Sequence, residues 1–189
     1  MKIKKLASLC AANKWVRVYD RQLMDQSGEP CGVVQWIGDG NAAYLLDGLP
    51  YLTDAQVLTL FDVPEKKRDD YSIETLPPPA GVNFCDMDEH EQVVMPEKVA
   101  LVYGGATLLP VHTSRGLRFY RDEYLGPLAD ERESLEMYER IDADGRVYFA
   151  LKAGMLIRAI VLPVQVVTQP FVEMVEGLAV SCRAVVEEE

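Results

Sequence analysis

The sequence has few histidines, and this shortage removes several common kinds of active site. Only His90 and His112 are present, well apart in the chain. A catalytic histidine works with a nearby partner, and a zinc site needs three or four ligands. No G-x-S-x-G, G-x-G-x-x-G or G-K-[ST] motif is present to hold a nucleophile or a phosphate. The sequence therefore predicts no catalytic residue, no metal site and no cofactor.

Paired cysteines are also lacking. The four cysteines form no C-x-x-C pair and lie far apart, at Cys10, Cys31, Cys85 and Cys182. Isolated cysteines are usually small buried hydrophobic residues. They are typical of a reducing cytoplasm rather than of a secreted disulfide scaffold, so we expect a cytoplasmic protein.

Long apolar runs are absent too. No stretch approaches the ~20 apolar residues of a membrane span, so we expect no membrane partner. The N-terminus is basic and rich in alanine, but Ser8 interrupts its apolar part and Asn13 follows soon after. A signal peptide needs a longer unbroken run, and we interpret this segment as a first helix.

Composition and charge are those of an acidic globular protein. Of the 189 residues, 49% are hydrophobic and 26% charged, which is enough for a core in one domain or two small ones. The net charge of −11 argues against general nucleic-acid binding, because phosphate binding needs a basic surface. A local basic face remains open, since lysines cluster near the N-terminus at Lys2, Lys4, Lys5 and Lys14.

Apolar periodicity predicts an N-terminal unit over residues 1–63. Its predicted elements are a helix over 3–13 and strands over 15–19, 32–37 and 42–46. Thr53 and Gln56 have the form of a capping box, which predicts a second helix. Pro64 ends that helix, because proline cannot continue it.

Residues 64–96 differ in composition from the first unit, since they are charged, then rich in proline, then acidic. We interpret them as mainly connection, with a strand near 71–75. A connection this long is uncommon inside a compact domain, so it is the predicted boundary.

A C-terminal unit is predicted over residues 97–189. Its predicted strands cover 99–103, 107–111, 117–120, 146–151 and the apolar run 155–167. Residues 134–141 fit a helix or a strand. Thr168 and Pro170 predict the start of a final helix with an apolar stripe.

Together these elements predict the α+β class, as two small mixed units that each contain a mainly antiparallel sheet with packed helices. A faint internal repeat connects the units, since residues 15–21 and 116–122 both alternate around an arginine and a tyrosine. Chance similarity between two β-rich segments explains this as well, so a duplication stays open.

Three loops resemble ligand sites in part. Residues 85–91 hold a cysteine, a histidine and several acids, but without regular ligand spacing, and an exposed acidic loop is favoured. Asp142-Ala-Asp-Gly145 resembles the start of a calcium loop, yet Val147 and Ala153 stand where that loop needs glycine and glutamate. It therefore predicts a hairpin turn, and Gly38-Asp-Gly-Asn41 likewise predicts a turn before a strand.

Aromatic residues of the first unit form the candidate interaction surface. They are Trp15, Trp36, Tyr44 and Tyr51. Aromatic side chains anchor many protein interfaces, while core packing is the alternative for at least half of this set. The apolar stripe of the last helix is a second candidate, which packs inward or forms a dimer face.

Residues 35–50, Gln-Trp-Ile-Gly-Asp-Gly-Asn-Ala-Ala-Tyr-Leu-Leu-Asp-Gly-Leu-Pro, follow an opening Lys4-Lys-Leu-Ala-Ser-Leu-Cys10. This part resembles small proteins encoded in prophages and integrated elements of gut Firmicutes, and that resemblance implies no particular activity. A weaker similarity is to the DNA sliding clamps, which are acidic and built from repeated α+β units. It depends on the faint repeat and on the apolar strand that ends at Pro163.

Two hypotheses follow. The first is a non-enzymatic accessory protein of a mobile element, acting through a protein partner or self-association. If its fold is clamp-like, a local basic face would contact nucleic acid. The alternative is an enzyme or ligand-binding protein with a site assembled from distant residues such as Asp39, His90, His112 and the acidic loop. A deep pocket with convergent polar groups would favour the alternative.

Overall fold

A computed structural model describes residues 1–164 and 169–187. The α-helices are α1 (Ile3–Asn13), α2 (Asp54–Leu60) and α3 (Gln169–Glu187). The strands are β1 (Trp15–Met24), β2 (Pro30–Gly38), β3 (Ala42–Leu45), β4 (Ser72–Leu76), β5 (Gln92–Val94), β6 (Leu101–Tyr103), β7 (Ala106–Thr113), β8 (Gly116–Arg121), β9 (Leu135–Ile141), β10 (Val147–Ala153) and β11 (Leu156–Val161). Short 3-10 helices cover Glu65–Asp70, Asp122–Leu128 and Arg132–Ser134.

The α+β class is confirmed. The main sheet has eight strands in the order β4-β1-β2-β3-β11-β10-β9-β5, and a small sheet has the order β6-β7-β8. Every pairing in the described part of the chain is antiparallel except the parallel pair of β1 and β4. The sheets are therefore mainly antiparallel, as predicted.

The main sheet takes strands from all three predicted segments. Residues 1–63 supply β1 to β3, residues 64–96 supply β4 and β5, and residues 97–189 supply β9 to β11. The strand predicted near 71–75 is present as β4, whereas β5 was not predicted.

The division into two domains stays a prediction. Backbone hydrogen bonds between β3 and β11 join the two predicted units.

The first face of the main sheet carries the larger core. Leu6 and Cys10 are spaced as i and i+4, so one side of α1 packs on this face, and both are fully buried. Lys14 ends that helix with a left-handed backbone (φ 51°) and leads straight into β1. At α2, the backbone N–H of Thr53 donates to Gln56 Oε1 at 2.8 Å, which confirms the predicted capping interaction.

The second face is covered by the segment between β4 and β5. We call residues 79–91 the cover loop. Its Phe84 packs edge-on against Trp36, with ring centroids 4.9 Å apart and planes 87° apart. Tyr148 and Ile160 belong to the same buried cluster. The cover loop thus closes a second, smaller core.

Two arginines hold the cover loop on the sheet. Arg140 is fully buried and donates from Nη1 to the carbonyls of Asn83 and Cys85, at 2.9 and 2.8 Å. Arg21 donates from Nη1 to the carbonyl of Phe84 at 3.0 Å. Glu91 closes the network, accepting from Arg140 Nε at 2.9 Å and from Lys152 Nζ at 2.6 Å.

Two three-stranded meanders, β1-β2-β3 and β9-β10-β11, lie side by side and join at β3 and β11. In each meander, one row of cross-strand partners runs from the joint to the outer strand. The matching rungs are Val18–Ile37–Tyr44 in one meander and Met137–Leu151–Ala159 in the other. All these side chains lie on the first face, and Tyr44 is paired directly with Ala159.

The sequences of the matching strands are also alike. Residues 16–21 read Val-Arg-Val-Tyr-Asp-Arg, and residues 135–140 read Leu-Glu-Met-Tyr-Glu-Arg. The predicted repeat paired residues 15–21 with 116–122 instead. That pairing is wrong in position, because 116–121 form β8 in the small sheet. A duplication of the chain stays a prediction, now with a different equivalence.

Several sequence expectations of the C-terminal part are settled. Residues 135–141 form strand β9 rather than a helix. Of the apolar run 155–167, residues 156–161 form β11, and 165–167 lie outside the described residues. The final helix is present as α3, while Thr168 lies outside the described part.

We predict that Arg140→Leu lowers the free energy of unfolding by about 3 kcal/mol. The substitution leaves carbonyls of the cover loop without their donor and removes one of the two cations that bind the Glu91 carboxylate. Arg146→Leu is the matched control, since the Arg146 side chain is 71% exposed, and we expect a change within about 0.5 kcal/mol. Chemical denaturation measures both variants. Equal losses would contradict the role given to Arg140.

A second prediction concerns pH. Burial alone would raise the pKa of Glu91, but hydrogen bonds from Lys152 and Arg140 outweigh it and lower that pKa. A carboxylate with a lowered folded pKa stabilises the fold at neutral pH and loses this contribution as pH falls through that value. The stability difference between the natural protein and Glu91→Gln should therefore shrink below about pH 4. Denaturation curves at several pH values measure it, and a difference that is constant with pH would contradict it.

Candidate functional site

Two of the four predicted surface aromatics are core residues. Trp36 and Tyr44 are fully buried, so they form no interaction surface, and the alternative of core packing for at least half of the set is confirmed. The reason is that β2 and β3 are central strands with both faces covered. Trp36 packs under the cover loop on the second face, and Tyr44 lies in the first core and donates to the carbonyl of Tyr124 at 2.8 Å.

The other two aromatics reach solvent. Tyr51 is 54% exposed, and its hydroxyl donates to Asp20 Oδ2 at 2.8 Å. That hydrogen bond raises the pKa of Tyr51. Trp15 is half-buried, with the Arg17 guanidinium 4.1 Å from its ring centroid. A role of Trp15 and Tyr51 in partner binding stays a prediction.

The acidic loop has a structural use for several of its polar groups. Asp86 Oδ1 accepts from the N–H of Ile157 at 2.9 Å, and Asp88 Oδ1 accepts from the N–H of His90 at 3.0 Å. Where side chains are described, no three of histidine, cysteine, aspartate or glutamate are grouped as metal ligands. The carboxylates of this loop therefore fix the loop itself.

Asp39 and the histidines do not converge on a common site. Asp39 Oδ1 accepts from the N–H groups of Asn41 and Ala42, both at 2.9 Å, which shapes the predicted turn. His90 and His112 are exposed, and neither lines a cavity described below. Asp39, His90 and His112 therefore do not form the shared site that the alternative hypothesis predicts.

One cavity lies where the edge of the main sheet meets the small sheet. We call it the edge groove, and its volume is about 550 Å³. Its apolar lining consists of Val93, Val94, Met95, Pro96, Val99, Ala100, Leu109, Leu125, Leu135, Met137 and Leu151. The charged side chains among its lining residues are those of Glu97, Lys98, Arg132 and Glu136.

Tyr120 is the unusual member of this lining. It is fully buried, and its hydroxyl has no hydrogen-bond partner in the described part of the chain. Burial raises the pKa of Tyr120, and the nearby carboxylate of Asp122 raises it further. A buried hydroxyl without a partner costs free energy, so this wall of the groove is incompletely satisfied.

A larger cavity lies on the second face. We call it the central cleft, and its volume is about 690 Å³. Its floor includes Ala43 and Ile160, which are paired across the joint of β3 and β11. Its polar lining consists of Tyr19, Asn41, Arg118, Asp142, Asp144, Arg146 and Tyr148. The cover loop, β8, α3 and the turn between β9 and β10 form its walls.

The walls of the central cleft are fixed by close packing. Gly81 of the cover loop has φ +82°, and a Cβ there would lie 2.8 Å from the Cβ of Ala143. The Asp142 carboxylate shapes the β9–β10 turn, accepting from the N–H groups of Asp144 and Arg146 at 2.9 and 2.8 Å. The hairpin predicted at Asp142–Gly145 is thus present, and it meets the cover loop with no room for a side chain on Gly81.

Comparison with protein-family models, with curated proteins and with solved structures found no significant match to this chain. The similarity to prophage proteins and to sliding clamps therefore stays a prediction. Among the described helices, none combines the length and apolar character needed to cross a membrane.

Sequence reasoning missed both cavities. Their linings come from strands far apart in the chain, and no local pattern links Tyr19 with Arg118 or Val93 with Tyr120. One signal was available for the edge groove, since residues 93–103 are mostly apolar although they follow an acidic loop. Residues 93–96 of that segment fall in the stretch 64–96, which the sequence predicts to be mainly connection.

The cysteines give a third prediction. Cys10 is fully buried, and burial, with a smaller contribution from Asp39, raises the pKa of its thiol to about 12. Cys31 and Cys85 are exposed, against the expectation that isolated cysteines are buried. At about pH 8, iodoacetamide should modify Cys31 and Cys85 in the folded protein and reach Cys10 only in denaturant. Peptide mass mapping measures this, and equal rates for Cys10 and Cys31 would contradict it.

Proposed function

We propose that this protein is a non-enzymatic binding protein that recognises a partner protein through the edge groove and the strands beside it. The observation that supports this proposal is a set of exposed apolar side chains on, or directly after, the edge strands β5 and β6. Val93 and Met95 are 61% and 79% exposed, and Val102 and Tyr103 are 81% and 45% exposed. We call these four residues the edge surface.

The exposure is unusual for residues of this type. Large apolar side chains scattered singly on a surface need no explanation, but exposed apolar side chains that line an apolar cavity are typical of an interaction site. Val93 and Met95 line the edge groove themselves, whereas Val102 and Tyr103 lie on β6, which follows the lining residues 93–100 in the chain. The burial of both surfaces by one partner would supply a hydrophobic driving force.

The backbone of the same segment offers hydrogen bonds. In the described residues, β5 pairs with β9 alone and β6 pairs with β7 alone. Each strand is the last of its sheet, so its outer N–H and C=O groups have no strand neighbour. An extended peptide can add to such an edge and place alternate side chains in a neighbouring groove.

Charge selects the kind of partner. The chain has a net charge of −11, so a second copy would be repelled, whereas a basic segment would be attracted. We therefore commit to one occupant, an extended segment of another protein in which apolar residues alternate with lysine or arginine.

Other parts of the function stay predictions from the sequence. An accessory role in a mobile element is compatible with a binding protein of this kind. A cytoplasmic location fits the free thiols of Cys10, Cys31 and Cys85. A clamp-like role would need a basic face, and two of the N-terminal lysines are in ion pairs, Lys2 with Asp130 and Lys14 with Asp70.

The proposal predicts the outcome of a selection of displayed random peptides on the full chain. Enriched peptides should alternate apolar and basic residues. The affinity of a selected peptide should fall at least about tenfold in Val102→Lys, because a charge replaces an apolar contact. Val102 is 81% exposed, so this variant should fold normally, which a thermal melt checks.

Met155→Lys is the matched control, since Met155 is 70% exposed in the turn between β10 and β11, away from the groove. It should bind the peptide as the natural protein does. Equal binding by Val102→Lys, or enrichment of acidic peptides, would overturn the proposal. A dimer in sedimentation that Val102→Lys dissociates would instead assign the surface to a second copy and also overturn it.

A further inference from the structure

The central cleft has the features of a small-molecule site, and it shares no lining residue with the edge groove. Ligand sites are concave, of some 300–1,000 Å³, mostly apolar, with a few convergent polar groups. The cleft, at about 690 Å³, has this size, and its floor is the seam between the two meanders. Ligand binding in the central cleft is therefore independent of partner binding at the edge groove.

Tyr19 is the first group that points to a ligand. It is 4% exposed and lines the cleft, yet its hydroxyl has no hydrogen-bond partner among the described residues. The other tyrosines of this face are satisfied. Tyr138 donates to Glu136 at 2.8 Å, and the Tyr148 hydroxyl accepts from the N–H of Asn83 at 2.9 Å. The Tyr19 hydroxyl is not among the buried polar atoms without a partner, so it opens into the cleft and can donate to a ligand oxygen there.

Arg118 is the second group. Its Nη1 donates to the carbonyl of Leu117 at 3.0 Å, and among the side chains that the structure describes no carboxylate forms an ion pair with it. This is notable in a chain with 30 acidic and 19 basic residues. A guanidinium has five N–H donors, so Arg118 keeps most of its donors for another acceptor.

The acids of the cleft do not neutralise Arg118. Asp144 forms an ion pair with Arg146, and Asp142 lies 4.0 Å from the same guanidinium while it also accepts from the backbone of its turn. These three charges therefore belong to the β9–β10 turn. Together they sum to one negative charge, and Arg118 is the lining cation that has no ion-pair partner among the described side chains.

From this arrangement we propose that the central cleft binds a small organic anion. The anionic group, a carboxylate or a phosphate, would accept from the Arg118 guanidinium. A second oxygen would accept from the Tyr19 hydroxyl. The body of the ligand would pack on Val82, Ile160 and the ring of Tyr148, which are the apolar part of the lining.

The chemistry explains the choice of an anion. A guanidinium forms charge-assisted hydrogen bonds with carboxylates and phosphates, and these are stronger than neutral ones. A neutral ligand of the same shape would leave the Arg118 charge unpaired. The apolar floor favours an anion that carries an aromatic or aliphatic body over a free inorganic ion.

The test uses the full chain and three matched probes, phenylacetate, phenyl phosphate and neutral phenylacetamide. Ligand-observed NMR titration measures their affinities. We expect at least one anion to bind more tightly than the amide, and the better of the two identifies the anionic group. Arg118→Gln should weaken that anion about tenfold, and Tyr19→Phe should weaken it severalfold while the ring stays in place.

Two control variants separate the site from a general effect of charge or fold. Arg115→Gln removes an exposed arginine three residues away that does not line the cleft. Tyr138→Phe removes a hydroxyl from the same face that already has a partner. Both should bind the anion within about twofold of the natural protein.

Three results would overturn the inference. They are no binding of either anion at millimolar concentration, equal binding of anion and amide, and equal weakening by Arg118→Gln and Arg115→Gln. Val102→Lys, which disables the edge surface, should leave anion binding unchanged. Its peptide binding and its anion binding therefore report on the two sites separately.

Discussion

The pairing of β3 with β11 is the contact on which the rest of the structure depends. β3 has four residues, and its register with β11 places Tyr44 opposite Ala159. Without this pairing the main sheet would separate into two smaller sheets, and the floor of the central cleft would be lost. Small residues make the close approach possible, since Ala42 and Ala43 lie on opposite faces of β3 and both are buried. A Cβ at Gly38, the last residue of β2, would lie 1.6 Å from the carbonyl oxygen of Ala42.

Matching positions in the two meanders perform matching tasks. Asp20 and Glu139 each bind a connecting segment through a hydrogen bond on the first face. Asp20 accepts from Tyr51, and Glu139 accepts from the N–H of Ser114 at 2.8 Å. Arg21 and Arg140 both donate to carbonyls of the cover loop on the second face. The same Tyr-acid-Arg order thus holds connections on both faces of the sheet, which is why polar side chains recur in strands that are otherwise apolar.

How far the sequence predicted the fold depended on how local each signal was. The capping residues Thr53 and Gln56 and the turn at Asp142 act within a few residues, so they were recognised. The sequence could not tell which of the four aromatics, Trp36 and Tyr44 among them, are core residues, because burial depends on neighbours from distant strands. The true neighbours of β3 could not be read from the chain, since hydrophobic alternation states which face is buried but not which strand lies beside it. Both cavities were missed for the same reason.

The joint between the meanders also determines the order in which the protein can be completed. Synthesis runs from the N-terminus, so β1, β2 and β3 leave the ribosome long before β11 exists. Until then β3 is an edge strand with an open row of backbone groups and an uncovered Tyr44. A first meander formed at that stage would expose this edge to other strands. The sheet is joined into one only when β11 pairs with β3.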